Sequence, residues 1–386
     1  MNVKQVYELV NTITGEVTGK TDLVKEDLSN VVDVGEEIFN ANAVDNYVRS
    51  LVDHIGRVIF VNRPYSGAMP SLLMDGWEYG SVLEKVQADL PEATENESWE
   101  LENGTSYDTN VFYQPKVSAE FFNKKVTFEV PMSFTERQVK ESFSNAEQLN
   151  GFISMLYNAV DKAMTVKIDG LISRTINNAI ASTVFADYGA TALSEKSGIK
   201  AVNVLKLYNE KYGTTLTPVQ SITTPEFIRF ASYVIGLYRD RLARMSTLFN
   251  IGGKERFTPV DMQHLVLLSD FEKSAGVYLY DNAGQFNTDN VKLPTADIVP
   301  YWQGSGATYS FDDVSKIDVT TADNHAVTVT GVIGVMFDRD AIGVTNLDRR
   351  VTTNYNAKGE FYNNYYKFEC GTFNSQNENV VVFFVA

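Results

Sequence analysis

The sequence contains very few of the side chains that most often bind metals or act as nucleophiles. Among 386 residues there are three histidines, three tryptophans and a single cysteine, Cys370. One cysteine excludes a disulfide within the chain and is usual in a reducing compartment. His54, His264 and His325 stand in unrelated local contexts, so no two histidines have the spacing of zinc ligands. We therefore predict no zinc site, and we expect Cys370 to lie buried in a strand.

Positive charge is also scarce, with 33 Lys and Arg residues against 49 Asp and Glu residues and a net charge of −16. A protein that reads nucleic acid normally presents a basic face, and no run rich in Lys or Arg is visible. An acidic wall can enclose nucleic acid without holding it, because like charges repel. No run approaches the roughly 18 apolar residues of a membrane span, and no signal-peptide core is found near the start. We therefore expect a soluble protein made in the cytosol, without sequence-specific binding of DNA.

Catalytic and phosphate-binding motifs are missing as well. The run IGGK at 251–254 lacks the first glycine of a P-loop and the serine or threonine that should follow the lysine. The run DRD at 338–340 lacks the other ligands and the central glycine of a calcium loop. Each run is predicted to form a turn. Because no Gly-x-Ser-x-Gly sequence occurs either, we predict no catalytic, metal-binding or cofactor-binding residue and no enzymatic activity.

The longest element predicted by the sequence is a helix over residues 144–183. This stretch has no proline, and its apolar residues recur at steps of three and four, which is the period of one helix face. Ser144 and Glu147 have the spacing of a capping box at its start. A helix of this length would extend roughly 58 Å, whereas a compact chain of this size has a diameter of about 54 Å. The sequence therefore predicts an elongated subunit built along a spine helix.

Two segments before the spine helix are predicted to depend on other parts of the assembly. Residues 1–56 form an arm with short amphipathic helices and, by this interpretation, no core of their own. Residues 57–61 resemble a short strand. Residues 76–110 are rich in acids, and residues 111–117 are the expected antiparallel partner of a strand over 122–130, which shows clear period-two alternation. A two-stranded hairpin is marginal in water, so we expect support from subunit contacts.

The remainder of the chain mixes helices and strands. Gly213 is expected to end one short helix, and Thr224-Pro225-Glu226 is a strong helix start with proline in the first turn. The apolar runs predict strands over 264–268, 326–337, 362–373 and 380–385. One dominant helix with strands clustered late in the chain indicates an α+β fold.

The order of these segments, together with several local sequences, resembles a known family. The local sequences are STLFNIGGKERFT at 246–258, VPYWQGSG at 299–306, SFDDVSKI at 310–317, GVMFDRDAIGVTNLDRRVTT at 334–353 and NYNAKGEF at 354–361. They are similar to segments of the major capsid proteins of tailed bacteriophages of Gram-positive bacteria, which have the Hong Kong 97-type fold. The resemblance implies the following division: N-terminal arm 1–56, extended loop 57–135, peripheral domain 136–220 with spine helix 144–183, axial domain 221–335, and C-terminal strands 336–386 returning to the peripheral or axial sheet.

The resemblance also implies a function. The chain would self-assemble into pentamers and hexamers that form the icosahedral or prolate head shell around the double-stranded DNA of the phage. Assembly would take place in the cytoplasm of the host bacterium, through a procapsid that matures. The implied partners are further copies of the chain, a scaffolding protein, the portal, and decoration and head-completion proteins. Two alternatives stay open: an encapsulin-like shell of a cellular nanocompartment, and a cytosolic hydrolase that uses acids of residues 84–108.

Five apolar side chains are candidates for the subunit interface, because large aromatic and branched residues are common there. They are Phe122, Val126 and Phe128 of the predicted hairpin and two tryptophans, Trp99 and Trp302. Some members of the family cross-link a lysine at the tip of the extended loop to an asparagine of another subunit. Residues 92–104, where the tip is predicted, contain no lysine, so we do not expect this cross-link.

Overall fold

The computed structural model describes residues 3–20, 23–40, 43–62, 72–74, 83–88, 91, 93, 110–280, 295–303, 308–321 and 324–386. The chain divides into two compact units, and each is assembled from separate stretches. The first unit contains Met1–Glu78, Lys125–Ile172 and Val344–Gly371. The second unit contains Tyr79–Lys124, Ser173–Gly343 and Thr372–Ala386.

Both units mix helices with sheets. The helices are, in chain order, α1 (Val3–Thr18), α2 (Val31–Asn40), α3 (Val44–Asn62), α4 (Glu136–Ser142), α5 (Ala146–Tyr188), α6 (Val204–Tyr212), α7 (Pro218–Ile222), α8 (Pro225–Leu242), α9 (Ser269–Tyr280) and α10 (Phe311–Val314). The strands are β1 (Leu73–Met74), β2 (Leu83–Ala88), β3 (Val117–Phe122), β4 (Lys125–Thr135), β5 (Ala201–Asn203), β6 (Gln263–Leu268), β7 (Asp297–Val299), β8 (Ile317–Thr320), β9 (Ala326–Val329), β10 (Val332–Asp338), β11 (Ile342–Asn356), β12 (Phe361–Asn374) and β13 (Val380–Phe384). This composition confirms the α+β prediction.

The N-terminal part of the first unit is a cluster of three helices, α1, α2 and α3, that pack on one another. Their apolar faces are buried in this cluster, including Val6, Val10, Ile13, Tyr47, Leu51 and Ile55. The expectation that this segment has no core of its own is therefore wrong. The strand predicted at 57–61 is also wrong, because α3 continues to Asn62.

Helix α5 confirms the predicted spine helix, with 43 residues from Ala146 to Tyr188. The predicted cap is wrong by one position. Asn145 accepts a hydrogen bond from the backbone N–H of Gln148 at 2.8 Å, whereas the hydroxyl of Ser144 donates to the carbonyl oxygen of Glu141 at 2.6 Å. Ser144 therefore belongs to the end of α4, and Asn145 supplies the side-chain acceptor that starts α5.

The sheet of the first unit has the strand order β1-β11-β12-β4. Strand β4 shows the predicted alternation of exposed and buried residues, and it pairs antiparallel with β12 from Thr135 opposite Phe361 to Lys125 opposite Gly371. The Phe128 and Phe368 rings meet across this pair, with centroids 5.1 Å apart. The predicted partner of this strand, residues 111–117, is wrong, because β4 pairs with β12 over its full length.

The second unit is built around a five-stranded sheet in the order β5-β13-β10-β6-β7. Strand β10 is antiparallel to β13 and β6, whereas β5 and β7 add parallel strands at the edges. Helices α6, α8 and α9 share a buried core with this sheet. The predicted strands 264–268 and 380–385, the helix start at Thr224-Pro225-Glu226 and the helix end at Gly213 are confirmed.

The predicted strand 326–337 consists of two strands, β9 and β10, separated at Gly331. The backbone of Gly331 has a φ of +71°, a conformation that L side chains rarely adopt. A Cβ at this position would lie 1.9 Å from the carbonyl oxygen of Val385. The chain therefore turns at Gly331, and β9 pairs with β8 while β10 enters the five-stranded sheet.

Candidate subunit interface

Strands β2 and β3 form a separate two-stranded sheet of the second unit, which we call the ribbon. They are antiparallel, from Leu83 opposite Phe122 to Ala88 opposite Val117. The predicted hairpin joined the wrong strands: β3 pairs with β2, and only Asn123 and Lys124 separate β3 from β4. The ribbon therefore has a pairing of its own that does not depend on the long sheet of the first unit.

One face of the ribbon is open to solvent and mostly apolar, with Glu84 as its charged residue, directly opposite Phe121. Val86 is 60% exposed, Val117 is 58% exposed and Phe121 is 63% exposed. The small side chains Ala88 and Ala119 lie on the same face, because residues directly opposite each other in a pair share a face. We call this set of five residues the outer face.

The opposite face of the ribbon is partly buried and, besides Leu83 and Phe122 at one end, it is polar. Lys85 and Gln87 of β2 both donate to Oε1 of Glu378, each at 2.6 Å. Arg256 also contacts this group, since it donates to the side-chain oxygen of Gln87 and its Nε lies 3.7 Å from Glu378 Oε1. On β3, Glu120 accepts a hydrogen bond from the hydroxyl of Ser375 at 2.6 Å. These contacts hold the polar face against the second unit, so the apolar face is the one that points outward.

Val86, Val117 and Phe121 thus face solvent while Lys85, Gln87 and Glu120 face the protein, whereas an ordinary half-buried sheet turns most of its apolar side chains to the core. The exposed apolar surface also continues before β3. Val111 is 47% exposed, and Phe112 and Tyr113 are 84% and 86% exposed. A contiguous run of exposed apolar and aromatic side chains is typical of a surface that another protein covers. The ribbon is therefore the candidate subunit interface of the described residues.

The five interface residues predicted from the sequence lie in different places. Phe122 is half-buried in the second unit, with its ring 5.7 Å from that of Phe373. Val126 and Phe128 are half-buried on β4 of the first unit. Trp302 is only 4% exposed, and its indole N–H donates to the carbonyl oxygen of Val332 at 2.9 Å. Trp99 lies outside the described residues, and the interface role of all five stays a prediction.

Sequence reasoning missed the residues of the outer face. A usable signal was present in VSAEFF at 117–122, where period two places Val117, Ala119 and Phe121 on one side. The interpretation of 111–117 as a strand hid this alternation, because it placed Val117 at the end of a strand and Phe121 in a turn.

The residues that the sequence analysis considered for chemistry, Asp338, His264 and Cys370, make contacts within the fold. In the 338–340 turn, Asp338 accepts hydrogen bonds from the backbone N–H of Asp340 at 2.9 Å and from the hydroxyl of Thr258 at 2.7 Å. Burial raises the pKa of the Asp338 carboxyl above its ordinary value. The ring of His264 stacks on Phe337, and burial lowers the pKa of this histidine. Cys370 is buried in β12, as predicted.

Two other kinds of site are absent from the described residues, a metal centre and a membrane-spanning helix. Within those residues no group of three or more His, Cys, Asp or Glu side chains could hold a metal ion. In the same part of the chain, no helix combines the length and the apolar character that crossing a membrane requires.

Comparisons with known proteins agree with an assembly role. The family model of the Phi29-like phage major capsid protein matches residues 9–384. The major capsid protein of Bacillus phage GA-1 is 20% identical over 371 residues, which is 95% of this chain, and the chain spans 66% of the length of that relative. The solved capsid structure of Staphylococcus phage Andhra is similar with a TM-score of 0.50 and 10% identity, over 82% of this chain and 83% of that chain.

The structural likeness shows the fold, which is the α+β fold of phage capsid proteins of the Hong Kong 97 type. The family match covers nearly all of the sequence and identifies a structural protein of the phage head, in a family that is not known for enzymatic activity. The chain therefore belongs to the Phi29-like phage major capsid protein family.

Proposed function

We propose that this chain self-assembles into pentamers and hexamers that form an icosahedral or prolate head shell around the double-stranded DNA of a phage. The observation that carries the proposal is the outer face of the ribbon. Burying apolar surface between two copies recovers about 25 cal/mol per Å². The polar face of the ribbon cannot turn outward instead, because it is held by Glu378, Arg256 and Ser375.

A shell needs many such contacts, and each of them can be weak. When every copy touches several neighbours, later contacts form within one assembly, and their effective concentration is high. A head-to-tail contact between different surfaces of identical copies closes into a ring when the rotation fits. The outer face on one copy and a different surface on its neighbour would satisfy this requirement.

The charge of the chain fits a container and not a nucleic-acid reader. With a net charge of −16, an inner wall made of this protein would repel packaged DNA and would make no sequence-specific contact. The proposal includes assembly in the host cytoplasm, a scaffolding protein, the portal, decoration and head-completion proteins, and the arm, loop, peripheral and axial division of the chain. None of the matches described above supports an encapsulin-like shell, and membership of a structural family sets the hydrolase aside.

The test is the substitution Val86→Asp on the outer face. A carboxylate buried at a contact that was apolar costs roughly 2 kcal/mol or more per contact, which weakens each contact at least about thirtyfold. The matched control is Val277→Asp on α9, because Val277 is 64% exposed and lies in the same unit.

Both variants would be co-expressed with the scaffolding protein of the phage and examined by sedimentation and negative-stain electron microscopy. We expect Val86→Asp to remain folded by circular dichroism but to form no shells, while Val277→Asp forms shells like the wild type. Normal shells from Val86→Asp would contradict the proposal that the outer face is an assembly contact.

A further inference from the structure

A polar cavity of about 520 Å³ lies in the second unit, beside the end of the ribbon that leads into β4. Its described lining residues comprise two cations, five side-chain amides, five hydroxyl groups and three phenylalanines, and no acid is among them. The chain as a whole carries 49 acids against 33 cations, so this cavity is a local site of positive charge. We call it the basic cavity. Its cations are Lys124 and Arg174, and its amides are Asn123, Asn178, Asn324, Asn374 and Gln376.

The walls of the basic cavity come from separate segments that are tied to one another. Lys124 lies in the link between β3 and β4, and its carbonyl oxygen accepts a hydrogen bond from the backbone N–H of Thr372 on β12 at 3.1 Å. The turn between β8 and β9, which contributes Asn324, is held on α5 because the His325 ring stacks on that of Phe185 with centroids 4.5 Å apart. The donors are therefore held in place before a ligand binds, which lowers the cost of binding.

The two cations of the basic cavity have no partner among the described residues. Both side chains are exposed, and neither side chain forms a hydrogen bond or an ion pair in that part of the chain. Arg174 lies one turn from Asn178 on the same face of α5, and no acid stands three or four positions from it on this helix. The charge of both groups is therefore available to an anion that enters the cavity.

The lining of the basic cavity matches the groups that bind phosphate. An arginine donates two parallel hydrogen bonds to phosphate oxygens, and a lysine adds a point charge. Phosphate oxygens are also bound by Ser, Thr, Asn and Gln side chains, which are the uncharged polar residues of this cavity. A pocket for an apolar ligand is lined mostly by hydrophobic and aromatic side chains, whereas three phenylalanines are the whole apolar share of the described lining. The composition therefore favours an oxyanion with several acceptor oxygens.

We propose that the basic cavity binds a phosphate group. Lys124 and Arg174 balance its charge, and the amides and hydroxyls donate to the oxygens that the two cations leave. The same oxygens are presented by the free ion and by the backbone of a nucleic acid. The inference goes beyond the proposed function, because the described lining residues all belong to the second unit of a single copy. A phosphate bound there joins the base of the ribbon, α5, the β8–β9 turn and the end of β12.

Titration calorimetry of the unassembled chain with inorganic phosphate, at fixed ionic strength, tests the site. We expect saturable binding to the wild type. Arg174→Gln should raise the Kd at least about tenfold, because it removes both the charge and the paired donors. Asn178→Asp keeps the size of the side chain and should raise the Kd similarly, since it places a carboxylate in the lining. The matched control is Arg229→Gln, at an exposed arginine of α8 outside the cavity, and it should leave the Kd unchanged.

Hydrogen exchange supplies a second readout, with circular dichroism to check that each variant is folded. Phosphate should slow exchange in the peptides that cover β8 and β9 of the wild type and of Arg229→Gln, but not of Arg174→Gln. A short DNA duplex tested in the same way separates the two sources of phosphate. Duplex binding that Arg174→Gln abolishes assigns the site to the phosphates of a nucleic acid, whereas binding of inorganic phosphate alone assigns it to the free ion.

Two results would overturn the inference. One is that neither inorganic phosphate nor the duplex binds saturably to the wild type. The other is that binding persists unchanged in both Arg174→Gln and Asn178→Asp, since the phosphate would then bind elsewhere. Because these measurements use the unassembled chain, their outcome does not depend on whether Val86→Asp prevents shells.

Discussion

Glu378 is the residue whose loss should most weaken the attachment of the ribbon. Its Oε1 accepts hydrogen bonds from Lys85 and Gln87 at 2.6 Å, and Arg256 Nε lies 3.7 Å away. The side chains are largely shielded, with exposures of 9% for Glu378, 20% for Lys85 and 16% for Arg256. The substitution Glu378→Ala would remove the one carboxylate that both Lys85 and Arg256 contact.

The size of the effect follows from this degree of burial. Removing one partner of a fully buried ion pair costs roughly 3–5 kcal/mol, and an exposed pair contributes about 0–1 kcal/mol. For a pair with this partial exposure we expect a loss of about 2–3 kcal/mol in the free energy of opening the ribbon, which raises the open population by a factor of roughly 30 to 160. Glu378→Gln should lose less, because its side-chain carbonyl oxygen still accepts a hydrogen bond.

Hydrogen exchange of the unassembled chain measures this opening directly, in peptides that cover β2 and β3. A suitable control is Glu369→Ala, since Glu369 pairs with Lys125 at 3.3 Å and both side chains are more exposed, at 22% and 29%. The control should change exchange by no more than about 1 kcal/mol, and only near β4 and β12. In the wild type, about 1 M salt should speed exchange of the ribbon, because screening weakens the ion pairs. Unchanged exchange of both ribbon strands in Glu378→Ala would refute the reasoning, since another contact would then hold the ribbon.

Two further predictions concern the second unit. Gly331→Ala should destabilise the chain by about 3 kcal/mol or more in thermal or urea unfolding, because Gly331 has a φ of +71° and an added Cβ would meet the Val385 carbonyl oxygen. The control Gly236→Ala lies inside α8, where an added Cβ has free space, and it should raise the free energy of unfolding by about 0.5–1 kcal/mol. Asp338→Asn should gain stability relative to the wild type as the pH rises from the ordinary carboxyl pKa of 3.8 through the raised pKa of the folded state. Because the pKa of Asp338 is raised, the folded state binds more protons than the unfolded state above the ordinary value of 3.8. The contribution of Asp338 to stability therefore falls as the pH rises through this range. A difference in unfolding free energy between the variant and the wild type that does not change with pH would contradict this assignment.

The local parts of the fold could be predicted from the sequence because they follow from local periods. Helix α5, the buried faces of α1 and α3, and the alternation in β4 depend on residues two to four positions apart. The cap of α5 shows the limit of such reasoning. Asn145 and Ser144 are adjacent and both suit an N-cap, and only the hydrogen bond of Ser144 to Glu141 at the end of α4 decides between them.

The pairing of the strands and the orientation of the ribbon could not be predicted from these local periods. Period two indicates that 122–130 is a strand, but the partner of β4 is β12, more than two hundred residues later. Alternation in β3 places Val117 and Phe121 on one face without telling which face meets the protein. The reversed orientation becomes understandable only with Glu378 and Arg256, which are far from the ribbon in sequence and provide the charged surface that Lys85 and Gln87 contact.

The position of β13 has a consequence for the synthesis of the protein. Val380–Phe384 comes latest among the described strands, yet it lies inside the five-stranded sheet between β5 and β10. Until the ribosome has released this strand, β10 has an open edge and β5 has no partner among the described strands. Such a long-range pairing delays folding until late in translation. A nascent chain therefore cannot complete the five-stranded sheet until Val380–Phe384 has left the ribosome.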